Sequence, residues 1–297
     1  MRQESYYNPL VRFKKQIQMH KRVFIFIYFL LVAISLTAQH TSFHDLSYGN
    51  DSLQKMDVYL NPSHTAKSPV VILVHGGGWM SGDKKDFNFM RDALLTKNVD
   101  VININYRLAG ASVHYPQIMD DMNSALHYIT AHASQWNMRD HGFILWGNSA
   151  GGHLALLFAY NYALKGLINA VISFGGPTRL DDIPSLSHAK AEDVKGLLPL
   201  IVGKPFNKDS LSSEYHSASP YYGKHFVPTL IIHGTHDQIV PPEQSEMLHK
   251  ELDRKGVENK YFPLINGAHG GEGASKESHE EFNKITLEWI QMHSKSL

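Results

Sequence analysis

Six residues, Gly147-Asn148-Ser149-Ala150-Gly151-Gly152, restrict what this chain can fold into more than any other stretch. They follow the apolar run Phe143-Ile144-Leu145-Trp146, which predicts a short buried strand. They precede His153-Leu154-Ala155-Leu156-Leu157-Phe158-Ala159, an Ala- and Leu-rich run with little polar face, which predicts a helix. A strand that becomes a helix across so short a turn, with Gly-x-Ser-x-Gly in it, is a nucleophile elbow. The turn lifts one side chain above the sheet by forcing its backbone into a strained conformation. Gly147 and Gly151, on either side of the serine, keep a Cβ out of the crowded gap between strand and helix. The start of the helix leaves free backbone N–H groups beside the serine. The plain alternative is a glycine-rich turn around an ordinary serine, and the rest of the chain decides between the two.

Branched apolar runs recur at intervals. Met56–Leu60 alternates like a strand and is closed by Asn61-Pro62. Val70-Val71-Ile72-Leu73-Val74 suits a strand covered on both faces of a parallel sheet. Further strands are expected over Val99–Asn105, Asn169–Phe174, Pro228–Gly234 and Asn259–Leu264. Helices are expected over Asp86–Lys97, Gln117–His132, Pro242–Lys255 and Ser278–His293. In the second of these, Ile118, Met122, Ala125 and Ile129 share a face. Between Thr178 and Tyr222 the period is lost and Ser, Asp, Lys and Pro accumulate around one apolar patch, Leu197–Val202. That stretch, residues 178–222, reads as a lid-like insertion with a helix or two over the C-terminal edge of the sheet. Strands alternating with helices predict an α/β fold, a mostly parallel, doubly wound sheet with helices on both faces and ligands at the carboxyl ends of the strands. The glycine-rich turns after Val74, Trp146 and Leu264 would all open on that edge.

A serine hydroxyl needs a base within hydrogen-bond reach, itself oriented by an acid. In a fold of this kind the partners follow the serine in the order acid, then histidine. Asp237, in Gly234-Thr235-His236-Asp237-Gln238, lies just past a strand end, where a rigid sheet can hold a carboxylate; a helix N-cap or turn aspartate is the alternative. The base must lie later, at His249, His269, His279 or His293. All but His269 fall in expected helices, whereas His269 sits in the turn Asn266-Gly267-Ala268-His269-Gly270-Gly271 and is the preferred candidate. Donors for an oxyanion are expected from the backbone N–H groups of Gly77 and Gly78 in His75-Gly76-Gly77-Gly78-Trp79, with Ala150 as a third. His75 is expected to pin that loop, and Trp79 to pack with one face toward a substrate.

With these residues in place the chain resembles the α/β-hydrolase superfamily. More narrowly it resembles the His-Gly-Gly-Gly-Trp esterases, a carboxylesterase and acetyl-xylan- or feruloyl-esterase-like branch. The matching motifs are His75–Trp79, Asn105-Tyr106-Arg107-Leu108, Gly147–His153, Ser217-Ala218-Ser219-Pro220, His233–Asp237 with Val240-Pro241, and Ala268-His269-Gly270. The resemblance implies Ser149 as nucleophile, Asp237 as acid, His269 as base, and Gly77, Gly78 and Ala150 as the oxyanion hole. It makes Tyr106-Arg107 a scaffold pair. The short stretch between Phe43 and Val70 leaves no room for a large N-terminal cap, which directs attention to the 178–222 insertion.

Composition bounds the rest. The chain has 297 residues with 28 basic and 28 acidic side chains, so nothing in its charge argues for nucleic acid. It has no cysteine, hence no disulfide framework and no thiol nucleophile. Gly77 to Lys84 lacks the lysine of a phosphate-binding loop, because Asp83 follows Gly82, and no Gly-x-Gly-x-x-Gly opens a dinucleotide site. His279-Glu280 lacks the second histidine of a zinc motif, because Asn283 occupies its place. No metal or cofactor is expected. The N-terminus is basic up to Arg22, apolar from Val23 to Leu36, then small at Thr37-Ala38. The apolar run is shorter than the ~20 residues of a membrane span. Residues 1–38 are therefore expected to be a signal peptide, Met19 offers a second start, and an uncleaved anchor is the alternative. The reading is a secreted or periplasmic serine carboxylester hydrolase, residues 39–297, acting on short acyl esters such as acetyl groups on a polysaccharide. A serine exopeptidase or amidase, or a binding module without catalysis, are the alternatives. No stable membrane insertion is expected after cleavage.

Overall fold

Five branched apolar residues in a row have no polar face, and the fold leaves them none: Val70–Val74 is buried along its whole length. The computed structural model describes residues 40–186 and 192–295, so the signal segment expected over 1–38 lies outside the described residues. The strands are β1 (Thr41–Ser47), β2 (Lys55–Leu60), β3 (Val70–Val74), β4 (Asp100–Ile104), β5 (Phe143–Asn148), β6 (Ile168–Phe174), β7 (Thr229–Gly234) and β8 (Asn259–Leu264). They form one sheet in the order β1-β2-β4-β3-β5-β6-β7-β8. The first two pairings, β1 with β2 and β2 with β4, are antiparallel; the rest are parallel.

The helices among the described residues are α1 (Asn88–Leu95), which follows a 3₁₀ turn at Lys84–Phe87, α2 (Tyr115–His132), α3 (Ala150–Asn161), α4 (Ile183–Leu186), α5 (Glu192–Val202), α6 (Ser213–Ser217), α7 (Glu243–Arg254) and α8 (Lys276–His293). Alternation along β3 divides the core in two. Val70, Ile72 and Val74 pack with Ile118, Met122, Ala125 and Ile129 of α2 and with Leu154 and Leu157 of α3. Val71 and Leu73 pack with Leu94 and Leu95 of α1 and with Phe282, Ile285 and Trp289 of α8. The sheet is therefore covered on both faces, which is why its central strands carry no polar stripe.

Three features differ from the sequence expectation. The hairpin strand β1 lacks a readable pattern because it is an edge strand, largely exposed, and its register shifts between Phe43 and Leu46 around Asp45, whose φ is 53°. The helix expected over Asp86–Lys97 is a 3₁₀ turn followed by a shorter α-helix. The insertion holds more helix than expected: its apolar patch, Leu197–Val202, is the end of α5, which contains Pro199, and α4, α6 and a 3₁₀ turn at Pro220–Tyr222 flank it.

The strand order positions the site. From β3 the chain steps outward to β4, then returns to the other side of β3 as β5. The loops leaving β3 and β5 thus diverge at their carboxyl ends, and a crevice opens between them. The pairing Val74↔Gly147 sets the His75–Trp79 loop and the Ser149 turn side by side at that crevice.

Candidate active site

Ser149 sits between β5 and α3 with φ 53° and ψ −124°, a region that L-residues occupy only under constraint. Such strain costs on the order of 1–3 kcal/mol and persists only where the surroundings enforce it. The neighbouring glycines permit the turn by steric absence. A Cβ on Gly147 would lie 2.1 Å from the Gly151 carbonyl oxygen, and one on Gly151 would lie 2.0 Å from that of Val74. Any side chain there would push the helix off the strand.

The turn brings Ser149 Oγ to 2.7 Å from His269 Nε2. His269 Nδ1 lies 2.6 Å from Asp237 Oδ2. A carboxylate only accepts, so Nδ1 carries the hydrogen and Nε2 is left to accept from the serine hydroxyl. Asp237 is held on every side. Its Oδ1 accepts the amides of Ile239 and Val240 at 2.9 and 3.0 Å, and its Oδ2 also faces His233 Nε2 at 3.0 Å. Burial would raise this carboxyl, but the hydrogen bonds from His233 and His269 outweigh it and hold it well below the usual carboxylate range. The sites thus brought together are Ser149, Asp237 and His269. The other candidate bases are occupied elsewhere: His249 Nδ1 bonds Asn259, His279 packs on Gly271, and His293 lies beside Glu258.

The glycine loop reaches the serine as well. A Cβ on Gly76 would be 3.4 Å from Ser149 Cβ. No hydrogen bond among the described residues uses the amide of Gly77, Gly78 or Ala150 as donor, and Ala150 is the first residue of α3. These are the groups expected to hold an oxyanion. The loop is braced from behind: His75 is buried and stacks on Tyr106 with ring centroids 4.2 Å apart, and the Tyr106 hydroxyl donates to the His75 carbonyl at 2.7 Å. Arg107 forks onto buried Asp121, with Nη2 at 2.6 Å from Oδ1. Both residues of the Tyr106-Arg107 pair therefore serve as scaffold.

Trp79 packs, as expected, but offers no face to a substrate. It is 2% exposed, has a φ of 63°, and its indole Nε1–H donates to His153 Nδ1 at 3.1 Å. His153 Nε2 in turn lies 2.7 Å from the Ala218 carbonyl, so it carries the hydrogen and the ring is neutral. Burial pushes His153 down to about 4, in agreement with that tautomer. One imidazole thus joins the glycine loop, the serine helix and the insertion. The insertion also touches the loop at Gly78, where a Cβ would meet Leu197 Cδ1 of α5 at 2.6 Å.

Two residues of the site lie inside matching motifs but draw no role from the sequence, His153 and His233. His233 Nε2 donates to the Val240 carbonyl at 2.9 Å as well as to Asp237, and its Nδ1 faces Ser245 Oγ at 2.6 Å. Their only hint is position, directly after the elbow glycines and at the end of β7.

The sequence matches the BD-FAE family over residues 56–252. It is similar to the probable isoprenylcysteine alpha-carbonyl methylesterase ICMEL1 of Arabidopsis thaliana, 24% identical over 72% of this chain and 48% of that protein. It is similar also to the probable carboxylic ester hydrolase LipM of Mycobacterium tuberculosis, 26% identical over 68% of this chain and 49% of that one. The chain spans about half the length of these curated relatives. Among solved structures, a truncated carbohydrate esterase from gut microbiota superposes with a TM-score of 0.72 at 20% identity, covering 88% of this chain and 99% of the other. Esterase B from Lactobacillus rhamnosis superposes with a TM-score of 0.71 at 20% identity, covering 95% and 96%.

Proposed function

We propose that this chain, which belongs to the BD-FAE family and has the α/β-hydrolase fold, is a serine carboxylester hydrolase. The observation that carries the reading is the unbroken hydrogen-bonded line from Ser149 Oγ through His269 to Asp237, 2.7 and 2.6 Å. Ser149 is the nucleophile. As its Oγ bonds to the ester carbonyl carbon, its proton passes to His269 Nε2 and the carbonyl electron pair moves onto oxygen. The amides of Gly77, Gly78 and Ala150 take the resulting oxyanion. The imidazolium is stabilised by the Asp237 carboxylate. Collapse of the intermediate breaks the bond to the alkoxy oxygen, which takes the proton from His269 and leaves as the alcohol. Water then attacks the acyl-serine by the same route, and the carboxylic acid departs.

The relatives, a probable methylesterase and a probable carboxylic ester hydrolase, support an ester substrate. We read the acyl group as short, with acetylated polysaccharide as the natural case to test, and the N-terminal segment as an export signal. Hydrolysis of p-nitrophenyl esters from acetate to decanoate, beside Ser149→Ala, tests the reaction. Acetate turnover that is lost in the variant supports it; turnover unaffected by the variant overturns it. N-terminal sequencing of the exported protein tests the signal.

A further inference from the structure

A cleft of about 410 Å³ adjoins the serine, within the range typical of small-molecule sites. It touches the catalytic floor at Gly77, at Asn148 directly before Ser149, and at Gly270 directly after His269. Its walls are Phe87, Phe89, Met90, Phe174 and Phe282, from α1, the turn before it, β6 and α8. Polar side chains in the lining are Asp86, Asn148 and His279. A larger cavity of about 720 Å³ is lined by Asp237, Gln238, Glu243, Glu246 and Tyr261, but no glycine of the His75–Trp79 loop lines it, whereas Gly76 and Gly77 line the smaller cleft.

Phe89 is the telling residue. It is 83% exposed at the rim of the cleft, while the other phenylalanines of the wall are buried. An aromatic ring left in water beside a reacting centre gains from a ligand that covers it. Which part of the ester comes here follows from the proton's path. The leaving oxygen must approach His269 Nε2 to be protonated, so the alcohol's carbon skeleton extends past the His269 turn, where Gly270 forms the wall. On the opposite side of the glycine loop, at Gly78, the space is already filled by Leu197 of α5.

We propose that this cleft is the leaving-group subsite and that it takes the hydrocarbon skeleton of an apolar alcohol, with Phe89 setting its reach. The proposal rests on the esterase reading and turns it away from acetylated polysaccharide: a mostly apolar wall favours esters of alkyl or aryl alcohols over esters of sugar hydroxyls, for whose many polar groups Asp86, Asn148 and His279 offer too few partners.

The test compares two ester series with the full purified chain by pH-stat titration. One holds the acyl group at acetate and lengthens the alcohol from ethyl to octyl; the other holds ethanol and lengthens the acid from acetate to octanoate. Burial of successive methylenes predicts that kcat/KM rises by about three- to fourfold per carbon over the first steps of the alcohol series. Phe89→Asp should flatten most of that rise, whereas Leu164→Ala, a change at another exposed apolar residue outside the cleft, should leave it. A flat alcohol series, a rise in the acid series alone, a Phe89→Asp profile equal to wild type, or acetylated xylan turned over faster than every alkyl acetate each overturns the proposal while leaving the esterase reading standing. No hydrolysis in either series, or hydrolysis that survives in Ser149→Ala, overturns both.

Discussion

His233 Nε2 lies 3.0 Å from Asp237 Oδ2, the same carboxylate oxygen that faces His269 Nδ1 at 2.6 Å. Two imidazoles therefore share one oxygen. The His233 N–H draws charge from Oδ2 and fixes the carboxylate plane, while its own Nδ1 is tied to Ser245.

Replacing His233 with Phe keeps a ring in the space and removes the donor. The Asp237 carboxylate then loses one of its anchors, and kcat is expected to fall about tenfold, the equivalent of one misplaced hydrogen bond, with KM little changed. Steady-state kinetics on a small ester read both. An unchanged kcat would reduce His233 to a packing residue.

Ser149→Ala and His269→Ala should each abolish most hydrolysis, and the double variant should lose little more, if they act as the proposed nucleophile and base, which work as one unit. Single-turnover rates for the three variants check this. Multiplicative losses would mean that the two residues act separately.

Gly77 has a φ of 100°, and a Cβ on it would lie 2.2 Å from the Ser81 carbonyl oxygen. Gly77→Val must therefore displace the loop proposed to hold the oxyanion donors. A fall in kcat of ~10²-fold or more is expected, the scale of losing one such donor. Circular dichroism should show the sheet intact, and an unchanged kcat would place the oxyanion site elsewhere.

His153→Leu leaves the Trp79 indole N–H and the Ala218 carbonyl without their partner. Two unpaired buried groups should cost about 2–4 kcal/mol of stability near neutral pH. The cost depends on pH with a defined sign. Burial lowers His153 from 6.5 to about 4, so its contribution is full above pH 6.5 and is lost as pH falls through about 4. Thermal melts at pH 7 and pH 4.5 should show the gap between wild type and variant narrowing at the lower pH. A gap that widens would contradict a neutral, buried His153.

What could be read in the sequence was what lies in one short window. The Ser149 turn announces itself because its glycines, its strand and its helix are contiguous, and His269 because it was the one late histidine outside a helix pattern. Asp237 follows from its place at a strand end. His233 and His153 stayed hidden for the opposite reason. One of nineteen histidines looks like another until its partner is known, and Ala218 lies 65 residues from His153. The packing of Trp79 could be read, but not its partner, since His153 lies 74 residues away. The β1 hairpin escaped because an exposed edge with a bulge has neither the period nor the composition of a buried strand.

The insertion stands on two fixed feet. At one end the Thr178 and Arg179 amides donate to Gln244 Oε1 at 2.9 and 2.7 Å; at the other the Ala218 carbonyl is clasped by His153. Between them the segment is held from below as well: His114 Nδ1 lies 2.8 Å from the Leu200 carbonyl, and Leu180, Leu198, Ile201 and Tyr215 are buried in the main core. Its exposed positions are released from these demands, as a handle can be reshaped while its bolts stay put. Substitutions at exposed positions between Arg179 and Ala218 that preserve both clasps and the buried side chains should shift substrate preference and leave the serine's reactivity toward a small ester intact.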